Sequence, residues 1–370
     1  MILIINIGST SKRYALFQNS RCIGHYYLSE DHPEYHTSAR YILYLLEHEH
    51  ALIPDQLTAL AFRVVAPGTY FTKQRIITIY YCKQLKKVSM LVPTHTRLIL
   101  QEITEFRALL AHTPFIGISD SAFHSTMPPR ARLYGLPTML TRTLDIYRFG
   151  YHGISVQSVL NKLSKNQNHK PDKILVCHLG GGSSVTAVKS GMSIDTSMGF
   201  TPLEGLVMAT RSGTLDPAAG MYIAQKYKLT AQQLLELLVT QSGLKGLAGT
   251  SNMRDIILHA QQGNKQALIA LDLFVYILAK YIGAYTVALG GLDCLIFTGT
   301  IGERAPIIRE RTCAYLQFMD VLLDNSKNSI CIGEHDSIIS SSSSRVQVAV
   351  LTTDEMREIY TQAQKILKLN

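Results

Sequence analysis

ILVCHLGGGSSVTAVK (residues 174–189) is an apolar run that meets three glycines, passes two serines and turns apolar again. Glycine lets the backbone come close to a ligand, and consecutive N–H groups in such a turn form a nest for an anion. The pattern predicts a hairpin with a phosphate-binding tip. A second copy stands at the start of the chain, ILIINIGSTSKRYALF (residues 2–17). Set side by side without a gap, Asn6 falls on His178, Gly8 on Gly180, Ser11 on Ser183 and Ala15 on Ala187. Any two strand–turn–strand units share apolar flanks and a glycine, so coincidence is one reading. Duplication is the other, and it would make a cleft between two related domains.

Beyond the hairpin the stretch runs on to Pro217. Ser183, Ser184, Thr196, Ser197 and Thr210 supply neutral donors, and Arg211 supplies a planar cationic fork suited to phosphate or carboxylate. These residue types together point to an enzyme that handles phosphate.

A chain of 370 residues can bury a large core and fits two domains better than one. With 46% apolar and 17% charged residues it is globular. The net charge of +9 is spread along the chain, which reads as solvated surface with attraction for small anions rather than a nucleic-acid footprint. Six scattered cysteines without C-x-x-C spacing fit reduced thiols in a cytoplasmic protein, not a zinc or disulfide framework. Met1 leads straight into a strand, so no signal peptide is expected. The apolar window 267–289 is broken by Asp272 and Lys280 and reads as a buried helix, not a membrane span.

Between the hairpins, residues 39–49 have helical spacing, 57–65 read as a strand ending near Arg63, and 97–112 as an amphipathic helix. Residues 115–118 form a short strand leading to Asp120, a placement that suits a catalytic carboxylate or an ordinary helix N-cap. Residues 156–165 read as a helix, 166–173 as a polar linker, and 218–227, 231–239 and 265–289 as helices. Strand 294–298 opens on a glycine turn, 299–304, which is either a nucleotide-docking helix start or a plain connection. A serine-rich loop at 340–344, a strand at 346–351 and a closing helix at 354–367 complete the chain.

Several ordered blocks resemble the acetate and propionate kinases, in the superfamily of sugar kinases, actin and heat-shock ATPases. The blocks are Asn6-Ile7-Gly8-Ser9-Thr10-Ser11-Lys12-Arg13, Phe62 to Gly68, Asp120 to Pro128 and Phe149 to Ser155. The longest carries Asp195-Thr196-Ser197-Met198-Gly199, Thr201-Pro202-Leu203-Glu204-Gly205 and Arg211-Ser212-Gly213.

The resemblance implies an α/β fold of two ribonuclease-H-like ββαβαα domains around a cleft, as in actin-like ATPases. Residues 1–122 with 356–370 would form the first domain, and 123–355 the second, with the nucleotide site and dimer interface. It implies reversible γ-phosphoryl transfer from ATP to acetate in a cytoplasmic homodimer, with no nucleic-acid or membrane partner. On matched positions Asn6 and Glu355 would hold Mg2+ or Mn2+, and Arg13 would meet the nucleotide phosphates. Arg63 would bind the substrate carboxylate. His152 and Arg211 would stabilise the transferring group, with Asp120 as the essential carboxylate. ATP would be surrounded by His178, Leu179, Gly180, Gly181 and Gly182, by Asn252, Met253 and Arg254, and by Thr300, Ile301, Gly302, Glu303 and Arg304.

A carboxylate nucleophile is already ionised near neutral pH, so Asp120 is expected to orient Arg211 or a metal-bound water rather than take a proton. Arg63 and Arg211 could otherwise be structural ion-pair arginines, and His152 a packing histidine. The chain departs from the family pattern at Arg13, Gly181, Asn252, Thr300, Arg304 and Asp354, and at Ala66-Pro67 and Thr94-His95-Thr96 near the expected acyl pocket. Those changes keep propionate or butyrate as alternative acceptors, and a weakened nucleotide-binding relative or a sugar kinase as alternative functions.

Overall fold

All six residues of β1 (Ile2–Ile7) are buried, as expected of a strand covered on both faces. Its side chains alternate between two cores. Leu3, Ile5 and Ile7 join Ile42 and Leu46 of the helix Ser38–His50 and Ile99, Ile103 and Phe106 of the helix Pro93–Leu109. Ile2 and Ile4 join Met356, Ile359, Tyr360 and Ala363 of the helix Glu355–Leu369.

The computed structural model describes residues 1–8, 11–166 and 171–369. Ser9 and Thr10 of the first turn, and residues 167–170 of the expected linker, lie outside the described residues. The chain divides into two compact units. The first holds Met1–Ser125, Gly153–Ser158 and Asp354–Asn370, and the second Thr126–His152 and Val159–Thr353.

The first unit adds β2 (Ser11–Gln18), β3 (Arg21–Ser29), β4 (Ala59–Val64), β5 (Arg75–Ile76) and β6 (Phe115–Ser119), in the order β3-β2-β1-β4-β6-β5. The second holds β7 (Lys173–Leu179), β8 (Ser183–Lys189), β9 (Met192–Thr196), β10 (Cys294–Thr298), β11 (Ser337–Ile338) and β12 (Gln347–Val350). Its order, β11-β12-β10-β7-β8-β9, is the same arrangement read from the other end. Each sheet has an antiparallel three-strand meander, two parallel pairings (β1–β4 and β4–β6; β7–β10 and β10–β12) and a short antiparallel edge strand. The duplication read from the two hairpins therefore extends over the whole of both sheets.

The ungapped alignment holds only up to the turn. Ile7 pairs with Lys12, whereas Leu179 pairs with Ser183, so the second turn is one residue shorter. Ser183 therefore corresponds to Lys12, not Ser11. Arg13, opposite Asn6, corresponds to Ser184, opposite His178. A one-residue slip exchanges the faces of a strand, so the correction decides which side chains share a face.

Other expectations shift at their ends. Pro93 starts its helix four residues before the expected Arg97, because proline at the first helical position costs no hydrogen bond. The helix expected at 231–239 stops at Glu236 and widens into a π-helical turn, Leu237–Gln241. There the Val239 and Leu238 carbonyls accept from Thr210 Oγ1 (2.8 Å) and Ser212 N (3.0 Å) instead of continuing the helix. Residues 299–304 are a helix rather than an open turn. The long helix Lys265–Leu289 is apolar enough to pass for a membrane span, yet ten of its side chains are buried in the core of the second unit.

Lys12, beside Arg13 in the first block, is an inward-facing cation. It is 1% exposed, and its Nζ meets Glu102 Oε2 (2.7 Å), Ser38 Oγ (2.7 Å) and the Tyr35 carbonyl (2.8 Å). Tyr14 donates to the other Glu102 oxygen at 2.5 Å. Glu102→Gln would leave the Lys12 charge buried without its counter-charge, an expected loss of about 3–5 kcal/mol in denaturant unfolding. Replacing both, Lys12→Met with Glu102→Leu, is expected to recover part of that loss. Equal losses in the single and double variants would show that the ion pair is not its source.

Candidate active site

In the first unit, side chains converge at the carboxyl ends of the three neighbouring strands β1, β4 and β6, where open α/β sheets commonly place ligands. Arg63, on β4, is the hub. Its Nη2 donates to Asp120 Oδ2 (2.9 Å), and its Nη1 reaches Asn6 Oδ1 (3.2 Å) and Glu355 Oε2 (3.5 Å). Asn6 Nδ2 donates to the same Glu355 oxygen at 2.8 Å. Burial works against the charge on Arg63, but the Asp120 and Glu355 carboxylates outweigh it and hold the guanidinium protonated above its ordinary value. The Arg63 Nε–H is buried and has no acceptor among the described residues.

Asp120 is itself 1% exposed. Its backbone N–H donates to Val64 O at 3.0 Å and its carbonyl accepts from Gly153 N at 2.9 Å. A Cβ at Gly153 would collide with that carbonyl, so glycine is required there by close approach. Asp120 forms an ion pair with Arg63. Arg13 is exposed beside Asn6, with its guanidinium 5.9 Å from the Tyr27 ring.

The second unit builds a different surface on the equivalent hairpin. His152 Nδ1 lies 3.0 Å from Ser184 Oγ, and its ring packs against His178 at 4.3 Å between centroids, tilted by 34°. A Cβ at Gly182 would stand 3.0 Å from His152 Nε2 and 3.3 Å from Arg211 Nη1, so this glycine lies under both side chains. Gly181 faces open space. Arg211 Nη1 also donates to Pro202 O at 3.3 Å.

The remaining predicted nucleotide residues divide by burial. Leu179 and Met253 are core side chains, which leaves only their backbone to a ligand. Asn252 caps the helix Met253–Gln261 through Arg254 N (3.0 Å), and the Arg254 side chain is exposed. Thr300 and Arg304 are exposed, Ile301 is partly buried against the core and Gly302 is buried. Glu303 turns inward, its Oε1 accepting from Gly299 N (3.0 Å), Thr298 Oγ1 (3.3 Å) and Thr353 N (3.3 Å). That carboxylate takes the start of the helix Gly299–Arg304, the place expected to receive nucleotide phosphate.

A family model described as the acetokinase family matches residues 24–361. The chain belongs to the acetokinase family. It is 42% identical to the acetate kinase of Carboxydothermus hydrogenoformans over 303 residues, 81% of this chain and 76% of that one. Among solved structures it superposes on Porphyromonas gingivalis acetate kinase with TM-score 0.86 and 30% identity, covering 99% of each chain. A propionate kinase from Francisella tularensis gives TM-score 0.87 and 31% identity, covering 98% of each.

The block that carries the strongest acetokinase resemblance proves to be a clamp. Glu204 is bonded to Arg148 and to the Tyr134 hydroxyl, and that hydroxyl accepts from Phe200 N at 2.8 Å. A Cβ at Gly199 would collide with Glu204. Nearby, burial raises the Asp195 carboxyl, against the opposing pull of the Thr196 N–H and Arg148. Sequence reading missed Tyr134 and Arg148, which lie 70 and 56 residues from Glu204. It also missed Arg309, which is fully buried and donates to the Gly302, Glu303, Asn328 and Cys331 carbonyls, so that one cation caps two helix ends. Its place among apolar residues in a helix was the available signal. Gly182→Ala is expected to displace His152 and Arg211 and lower turnover about tenfold or more, whereas Gly181→Ala should stay near wild type. Steady-state rates of the two variants check this contrast.

Proposed function

We propose that this chain transfers the γ-phosphoryl group of ATP reversibly to acetate, giving acetyl phosphate and ADP by direct in-line displacement. The observation that carries the reading is Arg63: a protonated guanidinium held by Asp120, Glu355 and Asn6, with one N–H unmatched among the described residues, in a chain aligned almost end to end with acetate kinases. Such a group can bind a carboxylate and offset its repulsion from phosphate.

Phosphoryl transfer asks the protein for position and positive charge rather than covalent chemistry. Arg63 orients the acceptor, and Asp120 fixes Arg63. His152 and Arg211 donate to the oxygens of the transferred group, while the His178–Gly182 hairpin, Arg254 and the Thr300–Arg304 helix hold the nucleotide. Asn6, Glu355 and Asp120 form a hard-oxygen donor set that fits Mg2+ or Mn2+, which keeps most of its ligands as phosphate and water. When bound, the ion neutralises phosphate charge. A cytoplasmic homodimer goes with this reading. Exposed apolar residues of the second unit, Met221, Tyr222, Tyr227 and Val287, supply the surface for pairing.

Purified protein with ATP, Mg2+ and hydroxylamine should yield acetyl hydroxamate. Propionate and butyrate in the same assay rank the acceptors, and no product from any of the three acids would overturn the proposal. Asp120→Asn frees Arg63 from its ion pair and is expected to lose at least about 100-fold in acetate kcat/KM, with no recovery at high pH because no proton is abstracted. Near-normal turnover in that variant would refute its role.

A further inference from the structure

We infer that Glu204 is a positioning residue: by fixing the loop of residues 199–204 it holds both His152 and Arg211 in place. The inference rests on the proposed roles of those two side chains at the transferring phosphoryl group. None of residues 195–205 is itself assigned a substrate, nucleotide or metal, although this block carries the strongest acetokinase resemblance.

Residues 199–204 lie in neither helix nor strand, so no backbone ladder sets their path. Side chains set it instead. Glu204, at the end of the loop, divides its carboxylate between the Arg148 guanidinium (Oε1) and the Tyr134 hydroxyl (Oε2). The same hydroxyl accepts from the N–H of Phe200, near the start of the loop, at 2.8 Å. The Arg148 guanidinium lies over the Tyr134 ring at 4.6 Å, which closes a triangle of three side chains. Gly199 passes so close to it that a Cβ would collide with both Glu204 and Tyr134. The two ends of the loop are thereby tied to one another.

Carbonyls of that loop carry the two phosphoryl-handling residues. Gly199 O accepts from Phe149 N (3.0 Å) and Gly150 N (3.4 Å), and Phe200 O accepts from the Tyr151 hydroxyl (2.8 Å). Three consecutive residues are thus hung on the loop immediately before His152, which has a left-handed backbone (φ +60°). A conformation of that kind persists only where the surroundings hold it. Two residues beyond Phe200, Pro202 O accepts from Arg211 Nη1 at 3.3 Å. One carboxylate therefore governs a loop that reaches both side chains, and loosening it would move them together.

The test compares Glu204→Gln with wild type in the full-length protein. Glutamine keeps the side-chain length but gives Arg148 no counter-charge and has one oxygen where the carboxylate has two. Amide hydrogen exchange should be faster at Phe149 and Gly150 and unchanged in β7 and β8. The kcat with acetate should fall about tenfold with the KM for ATP unchanged. Affinity for aluminium fluoride with MgADP and acetate, a mimic of the transferring phosphoryl group, should fall in the same proportion, and affinity for MgADP alone should not. Tyr134→Phe breaks the link from Glu204 to Phe200 N and keeps the ring over Arg148, so it should reproduce each change even if Glu204→Gln fails to fold. Unaltered exchange at 149–150 would overturn the inference, as would faster exchange throughout the second unit, the mark of a merely structural clamp. So would a normal kcat in a variant with faster local exchange, or a loss confined to KM. Exchange is read without turnover, so absence of kinase activity in wild type would count against the proposed function alone.

Discussion

A guanidinium largely withdrawn from water must be compensated, and that requirement organises the first unit. Arg63 is drawn from β4, Asn6 from β1, Asp120 from the end of β6, and Glu355 from the first turn of the helix Glu355–Leu369, nearly 300 residues downstream of Arg63. Desolvation opposes the charge on Arg63, and the two carboxylates outweigh it. The site therefore forms only when the parallel strands are in register and the last helix has docked through Met356, Ile359 and Tyr360.

The duplicated sheet shows how one backbone plan carries two chemistries. At equivalent hairpin positions the first unit places Asn6 and Arg13, and the second His178 and Ser184. The former pair is suited to ions and the latter to neutral donors. The shorter second turn brings Gly182 directly under His152 and Arg211, where any side chain would intrude. The buttresses differ as well. The first hairpin is secured from behind by the buried Lys12–Glu102 pair, whereas the helix Gly299–Arg304 is secured by Glu303 at its start and Arg309 at its end.

The parts legible in the sequence were those with a local signature. Alternating and continuous apolar runs marked most strands, glycine marked the tight turns, and the family blocks marked Arg63, Asp120, His152 and Arg211. Partnerships across long separations were not legible. Nothing local to Asp120 said that it pairs with Arg63, or that Arg148 and Tyr134 clamp Glu204. Lys12 and Glu102 did leave a trace. Lys12 alternates with the inward Tyr14, and Glu102 stands one turn from Ile99 on the buried stripe of its helix. Charges on an apolar face ask for a partner, and two such residues in one domain were candidates for each other.

The same geometry bears on the glycine run that departs from the family pattern. Of its three glycines, the one standing in place of an amide side chain is Gly181, and it is the one that faces open space. A Cβ at Gly180 would make only ordinary contacts, 3.6 Å from Gly182 O and 3.9 Å from His178 Nε2 and Thr300 N, whereas one at Gly182 would crowd His152 and Arg211. The substitution thus falls at the position the fold constrains least, and Gly182, where a side chain would crowd its neighbours, retains glycine. Loss of the amide removes a possible ligand contact without disturbing the side chains assigned to the transferred group. The departure therefore bears on how the nucleotide is gripped rather than on whether the phosphoryl group can be transferred.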